Sequence, residues 1–189
     1  MQPLAPRPKV YQLPSPHQDL HTTPVPHPAA PPLYYCTGSK FCVRGKRKAV
    51  LIGINYFNKR GQLRGCVDDV KNMAAYLNLC FGYDKNDMVI LTDDQRRLIS
   101  QPTKINILTA ITWLVKDARP GDSLILYYSG HGRCPALDEN DDICPLDFNT
   151  AGFITSDERQ QIMTRSLLPG VSLSIILDTY HPENYFASG

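Results

Sequence analysis

The chain has 189 residues, with 20 Lys and Arg against 18 Asp and Glu, for a formal net charge of +2. This length suits one domain plus a tail. A charge so close to neutral excludes a protein selected by its field for nucleic acid or a membrane surface. No stretch approaches the roughly 18 apolar residues of a spanning helix. The N-terminus has no apolar secretory core, so a cytoplasmic location is expected, with the nucleus as a further one. Six cysteines (Cys36, Cys42, Cys66, Cys80, Cys134 and Cys144) have no compact, regular spacing and read as thiols of a reducing compartment.

Ten of the 16 prolines lie in residues 1–32. Such a segment forms neither helix ladders nor a core, so residues 1–41 read as an extended, solvated tail. The folded domain is expected over residues 42–189. Arg44, Lys46, Arg47 and Lys48 form a basic lead-in to the first strand. Ala49-Val50-Leu51-Ile52-Gly53-Ile54 is a continuous apolar run suited to a strand buried on both faces. Val70, Met73, Ala74 and Leu77 recur at helical spacing and predict an amphipathic helix over about 67–80. Met88 to Leu91 is a second strand, stopped by Thr92-Asp93-Asp94. Thr103 is placed to cap a helix that carries Ile107, Leu108, Ile111, Leu114 and Val115 inward and ends near Pro120-Gly121. Ser123 to Tyr128 is a third strand, followed by a polar, acidic loop to about residue 147. Residues 157–168 read as a short helix and Ser172 to Leu177 as a fourth strand. Strands alternating with helices point to an α/β fold, a mainly parallel sheet with helices on both faces.

In such sheets, sites form beyond the carboxyl ends of the strands. Two segments draw attention there: Tyr128-Ser129-Gly130-His131-Gly132 after the third strand, and Asp178-Thr179-Tyr180-His181 after the fourth. Outside the tail, His131 and His181 are the only histidines. A histidine between two glycines, after an apolar strand, is a candidate site residue.

Five motifs carry a resemblance. They are Arg47-Lys48-Ala49-Val50-Leu51-Ile52-Gly53-Ile54-Asn55-Tyr56, Gln62-Leu63-Arg64-Gly65-Cys66-Val67-Asp68-Asp69, Val89-Ile90-Leu91-Thr92-Asp93-Asp94-Gln95, Trp113-Leu114-Val115-Lys116-Asp117-Ala118 and Tyr128-Ser129-Gly130-His131-Gly132. In this order and spacing they resemble the N-terminal, large-subunit part of a fungal type I metacaspase, a caspase-like cysteine endopeptidase. The proline-rich tail resembles that family's prodomain. The resemblance implies a caspase-like sheet that continues past the C-terminal side, where this chain is expected to be incomplete. It implies proteolysis after Arg or Lys, a cell-death role, no required cofactor and peptide or protein partners. An active metacaspase or a second copy is a further expected partner.

By the same resemblance His131 is the acid/base residue, and position 180 is where the nucleophilic cysteine belongs. The family's Asp-Ser-Cys-His reads Asp-Thr-Tyr-His here. A thiol attacks a carbonyl because its pKa can be lowered into the working range, whereas a phenol titrates near 10. Loss of an enzyme nucleophile costs about 10⁶-fold in rate. The expectation is therefore an inactive peptidase homologue, with a non-catalytic module that holds basic peptides as the alternative. Cys134, three residues after His131, is a remote substitute thiol. The resemblance assigns Cys66, Asp69, Ser129 and Asp178 to the pocket for a basic side chain, which suits paired carboxylates. Taken alone, Asp69 also reads as a first-turn residue favoured by the helix dipole, and Asp178 as a turn residue at a strand end. The acidic loop with Asp138, Asp141, Asp142 and Asp147 is a candidate calcium site, because hard cations take several oxygens, although it is shorter than the family's loop. Pro182-Glu183 after His181 also departs from the family's Ser-Gly.

Overall fold

The structure, a computed structural model, describes residues 45–132, 142–165 and 167–180. Within them the chain runs β1 (Arg47–Gly53), α1 (Cys66–Phe81), β2 (Met88–Thr92), α2 (Lys104–Val115), β3 (Ser123–His131), α3 (Phe148–Ala151), α4 (Ser156–Thr164) and β4 (Ser172–Tyr180). The four strands form one parallel sheet in the order β2-β1-β3-β4. The expected α/β architecture is present. The residues expected to form the tail, 1–41, lie outside the described residues.

Strand alternation divides the core in two. Val50, Ile52, Ile54, Leu124, Leu126 and Tyr128 face one side, where α2 supplies Ile107, Ile111 and Leu114 and α4 supplies Met163. Ala49, Leu51 and Tyr127 face the other side and are covered by Val70 and Leu77 of α1. Strand β1 lies between two partners and is fully buried from Ala49 to Ile52, as its unbroken apolar run requires.

Several expected boundaries shift. Thr103 caps α2 as expected, accepting from Asn106 N–H at 3.4 Å, but α2 ends at Val115 rather than near Pro120. Helix α4 ends at Thr164, so Leu167 and Leu168 lie outside it. Its start is fixed by a reciprocal capping box between Thr155 and Glu158. The short α3 was not expected.

The larger correction concerns β3 and β4. Ser129-Gly130-His131 and Asp178-Thr179-Tyr180 are strand, not loop. The ladder continues through Ser129↔Asp178, Gly130↔Thr179 and His131↔Tyr180. Each strand thus supplies backbone partners to the other, which outweighs the turn character of Ser, Gly and Asp. Among the described residues no helix is long and apolar enough to cross a membrane.

Candidate active site

Glycine sets the position of α1 over the sheet. A Cβ on Gly53 would lie 2.5 Å from the Cys66 carbonyl oxygen and 2.8 Å from Val70 Cγ2. Only a residue without a side chain lets the first turn of α1 approach the end of β1 so closely. Gly65 precedes that turn with φ 106°. Asp69 then reaches the carboxyl end of β3, where Ser129 Oγ donates to Asp69 Oδ2 at 3.4 Å. Ser129 pairs with Asp178 across the ladder.

The four residues expected to form the pocket therefore converge. Ser129 and Cys66 are buried, Asp69 is half-buried and Asp178 is exposed. Two neighbouring groups register this concentration of negative charge. Burial, then the carboxylates of Asp178 and Asp69, push the Tyr127 phenol up to about 12. Burial also raises the Cys66 thiol, with Asp69 and Asp178 adding to the rise and a Ser129 hydrogen bond opposing it. Such a notch favours a cation, which meets two acceptor groups at one place.

His131 is 3 % exposed, and a ring nitrogen, Nε2, lies 2.6 Å from the Gly61 carbonyl oxygen. A carbonyl only accepts, so Nε2 carries a proton and, in the neutral ring, Nδ1 is the basic nitrogen. The Gly61 carbonyl is presented by the loop after β1. Asp93 holds that loop, its Oδ1 accepting from Asn55 N–H at 3.0 Å and its Oδ2 from Phe57 N–H at 3.3 Å. Tyr56 in this loop has φ 55° and stacks its ring 4.7 Å from that of His131.

A pair of buried phenols fixes the backbone beneath the imidazole. Tyr56 Oη donates to the Cys144 carbonyl at 2.6 Å and accepts from His131 N–H at 3.2 Å. Tyr128 Oη donates to the His131 carbonyl at 2.6 Å. Its ring folds back so far that a Cβ on Gly130 would lie 2.6 Å from its hydroxyl. Gly130 is therefore needed for this packing.

Position 180 lies directly across the ladder from His131. The Tyr180 ring centre is 5.9 Å from that of the imidazole, and the side chain is 59 % exposed. Asp178 and Tyr180 share the α1 face of the sheet with Ser129 and His131, as period-two alternation requires. Among the described thiols near this region, Cys66 is raised as described, and burial pushes Cys144 up to about 12. Neither is placed to ionise near neutrality.

Asp142 is buried and accepts from Ser156 N–H at 3.2 Å, at the start of α4. Asp147 Oδ1 accepts from Lys104 N–H at 2.8 Å. These two carboxylates hold helix starts. Asp138, Asp141, Cys134, His181 and the Pro182-Glu183 step lie outside the described residues. Among the described residues no group of three or more His, Cys, Asp or Glu side chains is placed to hold a metal.

Sequence reasoning missed Gly61, Tyr56, Asp93 and Tyr127. Tyr127 had a signal: it lies two and four residues before Ser129 and His131, on the same face once β3 is read through to His131. The role of the Gly61 carbonyl had none, because any residue supplies one.

The fold and site define a caspase-like α/β domain with a histidine at the end of its third strand. The family model for the metacaspase peptidase C14 domain matches residues 47–187. The chain belongs to the metacaspase family. It is 54 % identical over 179 residues to Metacaspase-1 of Ajellomyces capsulatus, covering 87 % of this chain and 50 % of that protein. It is 52 % identical to Metacaspase-1A of Aspergillus niger, covering 87 % and 44 %. With Metacaspase-1 of Coccidioides immitis identity is 60 % over 144 residues, covering 72 % and 31 %. The chain thus spans half or less of the length of these relatives. In fold it is similar to a crystal structure of a Geobacter sulfurreducens protein, with TM-score 0.53, 23 % identity, and coverage of 71 % of this chain and 50 % of that one.

Proposed function

We propose that this chain is a metacaspase homologue that has kept a recognition notch for Arg or Lys side chains and has lost peptide-bond cleavage at position 180. One observation carries this reading: Tyr180, not a thiol, is the residue paired with His131 across the ladder, with ring centres 5.9 Å apart. A nucleophile presented to Nδ1 must come from this position or from a nearby thiol. Tyrosine offers no thiol, and its oxygen lies a ring's length further from the backbone than a cysteine sulfur. The two described thiols nearby are both held protonated.

The test is a revertant. The purified chain is expected to release no fluorophore from peptides ending in Arg or Lys, with or without calcium. Tyr180→Cys is expected to restore turnover that thiol alkylation abolishes. Thiol-sensitive hydrolysis by the unaltered chain would overturn the proposal.

A second reading, a binding or regulatory module without catalysis, is favoured by the convergence of Asp69, Asp178 and Ser129 at one notch. Affinity for an Arg peptide is then expected to fall in Asp178→Ala and to stay unchanged in His131→Ala. Equal loss in both variants would place recognition elsewhere.

A further inference from the structure

Between β2 and α2 the chain makes a loop, Gln95-Arg96-Arg97-Leu98-Ile99-Ser100-Gln101. The loop is closed at its neck, where Gln101 Nε2 donates to the Gln95 carbonyl at 3.1 Å. Its far part is a single 3₁₀ turn, Leu98–Ser100. Ser100 N–H donates to the Arg97 carbonyl at 2.9 Å, and Gln101 N–H to the Leu98 carbonyl at 3.2 Å. Asn106 Nδ2 of α2 donates to the Leu98 and Gln101 carbonyls at 2.8 and 2.9 Å.

The side chains of this turn do little for the fold. Leu98 is 78 % and Ile99 75 % exposed, and no residue from Arg96 to Ser100 joins either half of the core. Arg96 and Arg97 are exposed, and among the described residues neither guanidinium has an acidic partner. Ser100 follows, half-buried. Of the 20 Lys and Arg in the chain, Arg97 alone has a Ser or Thr three residues later. An unpaired guanidinium at that distance from a hydroxyl therefore occurs at one place, in a segment the core does not use.

We propose that Ser100 is a phosphorylation site for a protein kinase that selects its substrates by an arginine three residues before the acceptor. Such a kinase sets carboxylates where that guanidinium lies, and the planar fork of Arg pairs with them bidentately. The kinase groove takes its substrate extended. Arg97 and Gln101, on either side of the turn, already have extended backbones, with φ −81°, ψ 123° and φ −80°, ψ 143°. Drawing out the three residues between them breaks the hydrogen bonds of the turn but uncovers no core side chain. In the transfer, Ser100 Oγ attacks the γ-phosphorus of ATP. The new O–P bond forms as the bond to the ADP oxygen breaks, the hydroxyl proton passes to the kinase's aspartate, and ADP leaves.

The 3₁₀ turn also suits the product. Side chains three residues apart eclipse in such a turn, so Arg97 stands beside residue 100 once the turn re-forms. A phosphate there carries a charge of about −1.5 to −2 and pairs with a guanidinium. The same arginine thus selects the site before transfer and holds the phosphate after it. The assignment is independent of the Arg or Lys notch, since it uses neither carboxylate of the notch nor position 180.

Incubation of the full chain with Mg-ATP and the catalytic subunit of cAMP-dependent protein kinase, followed by peptide mass mapping, tests the inference. One phosphoryl group on Ser100 is expected. Arg97→Ala is expected to slow its incorporation at least about ten-fold, and Arg97→Lys to fall between. Casein kinase 2, which selects acidic neighbours, is expected to leave Ser100 unmodified. Phosphorus NMR gives a second readout. The phosphate should titrate below its usual value of about 6, and should return to it in the Arg97→Ala chain phosphorylated by prolonged reaction. A folded chain that takes no phosphate at Ser100, while a synthetic peptide of residues 93–104 does, would overturn the inference. So would incorporation at Ser100 that is indifferent to Arg97→Ala. A phosphate that titrates alike in both chains would overturn the role given to Arg97 in the product.

Discussion

Replacing the carboxylates of the notch one at a time should weaken a basic peptide unequally, and the structure ranks the two losses. A guanidinium about 4 Å from a carboxylate gains about 4 kcal/mol at an effective dielectric constant of 20. Asp178 is exposed, so water and salt screen most of that gain, and about 1 kcal/mol remains. Asp69 is half-buried beside the buried Ser129 hydroxyl, which donates to it at 3.4 Å. There a charge-assisted hydrogen bond contributes about 2–3 kcal/mol. Asp178→Asn should therefore lower affinity for an Arg peptide by about five-fold, and Asp69→Asn by about 30- to 150-fold.

Titration calorimetry with an Arg peptide, and with its norleucine analogue as control, measures both losses. A second readout needs no ligand. Both carboxylates raise the Tyr127 phenol, so each Asn substitution should bring its titration down from about 12 toward 10. If Arg and norleucine peptides bind alike, or if Tyr127 titrates unchanged in both variants, the carboxylates do not form one notch and the reasoning is wrong.

Gly53→Ala should cost about 1–3 kcal/mol in urea unfolding, because its Cβ meets the Cys66 carbonyl at 2.5 Å and α1 has to move. Tyr56→Phe should cost about 1–3 kcal/mol by the same measurement, since it leaves the Cys144 carbonyl and His131 N–H without the buried hydroxyl. Thr155→Ala should cost about 1 kcal/mol through loss of the α4 cap. Alkaline pH should destabilise the fold. Burial raises Cys144 from 9.0 to about 12, so the folded state favours the neutral thiol. That stability is complete below about pH 9 and is lost as pH rises toward about 12. By about pH 11 the loss from this group is about 2–3 kcal/mol. Urea midpoints measured upward from neutrality should fall, and should fall less in Cys144→Ala.

The core elements were legible because their patterns have one physical reading. An unbroken apolar run at 49–54 requires burial on both faces, and β1 is flanked by two strands. The helical recurrence of Val70, Met73, Ala74 and Leu77 matches α1, whose buried side faces the sheet. The ends of β3 and β4 were not legible. Ser, Gly, His, Asp and Thr carry turn character locally, and only their pairing with each other makes them strand. The candidate pocket residues came from motif resemblance and converge in space, yet what orients His131 was hidden. The Gly61 carbonyl has no side-chain signature, and the Tyr56–Tyr128 pair brings together residues 72 apart.

On the proposed reading, the extended ladder separates recognition from chemistry. Ser129 and Asp178 form one cross-strand pair, and His131 and Tyr180 form the next pair on the same face, two residues further along. The two layers are thus about 6.6 Å apart, a span that a long basic side chain can bridge between its charged head and its own backbone. Because the layers share strands but no side chain, a substitution at position 180 leaves the carboxylates of the neighbouring layer in place. A cysteine-to-tyrosine change would also be mild sterically, since position 180 lies on the exposed edge strand with the side chain 59 % in solvent. Replacing His131, which is 3 % exposed and packed against Tyr56, would disturb the core. On the proposed reading, position 180 is thus a place where catalysis can end while the fold and the Asp69–Asp178 pair persist.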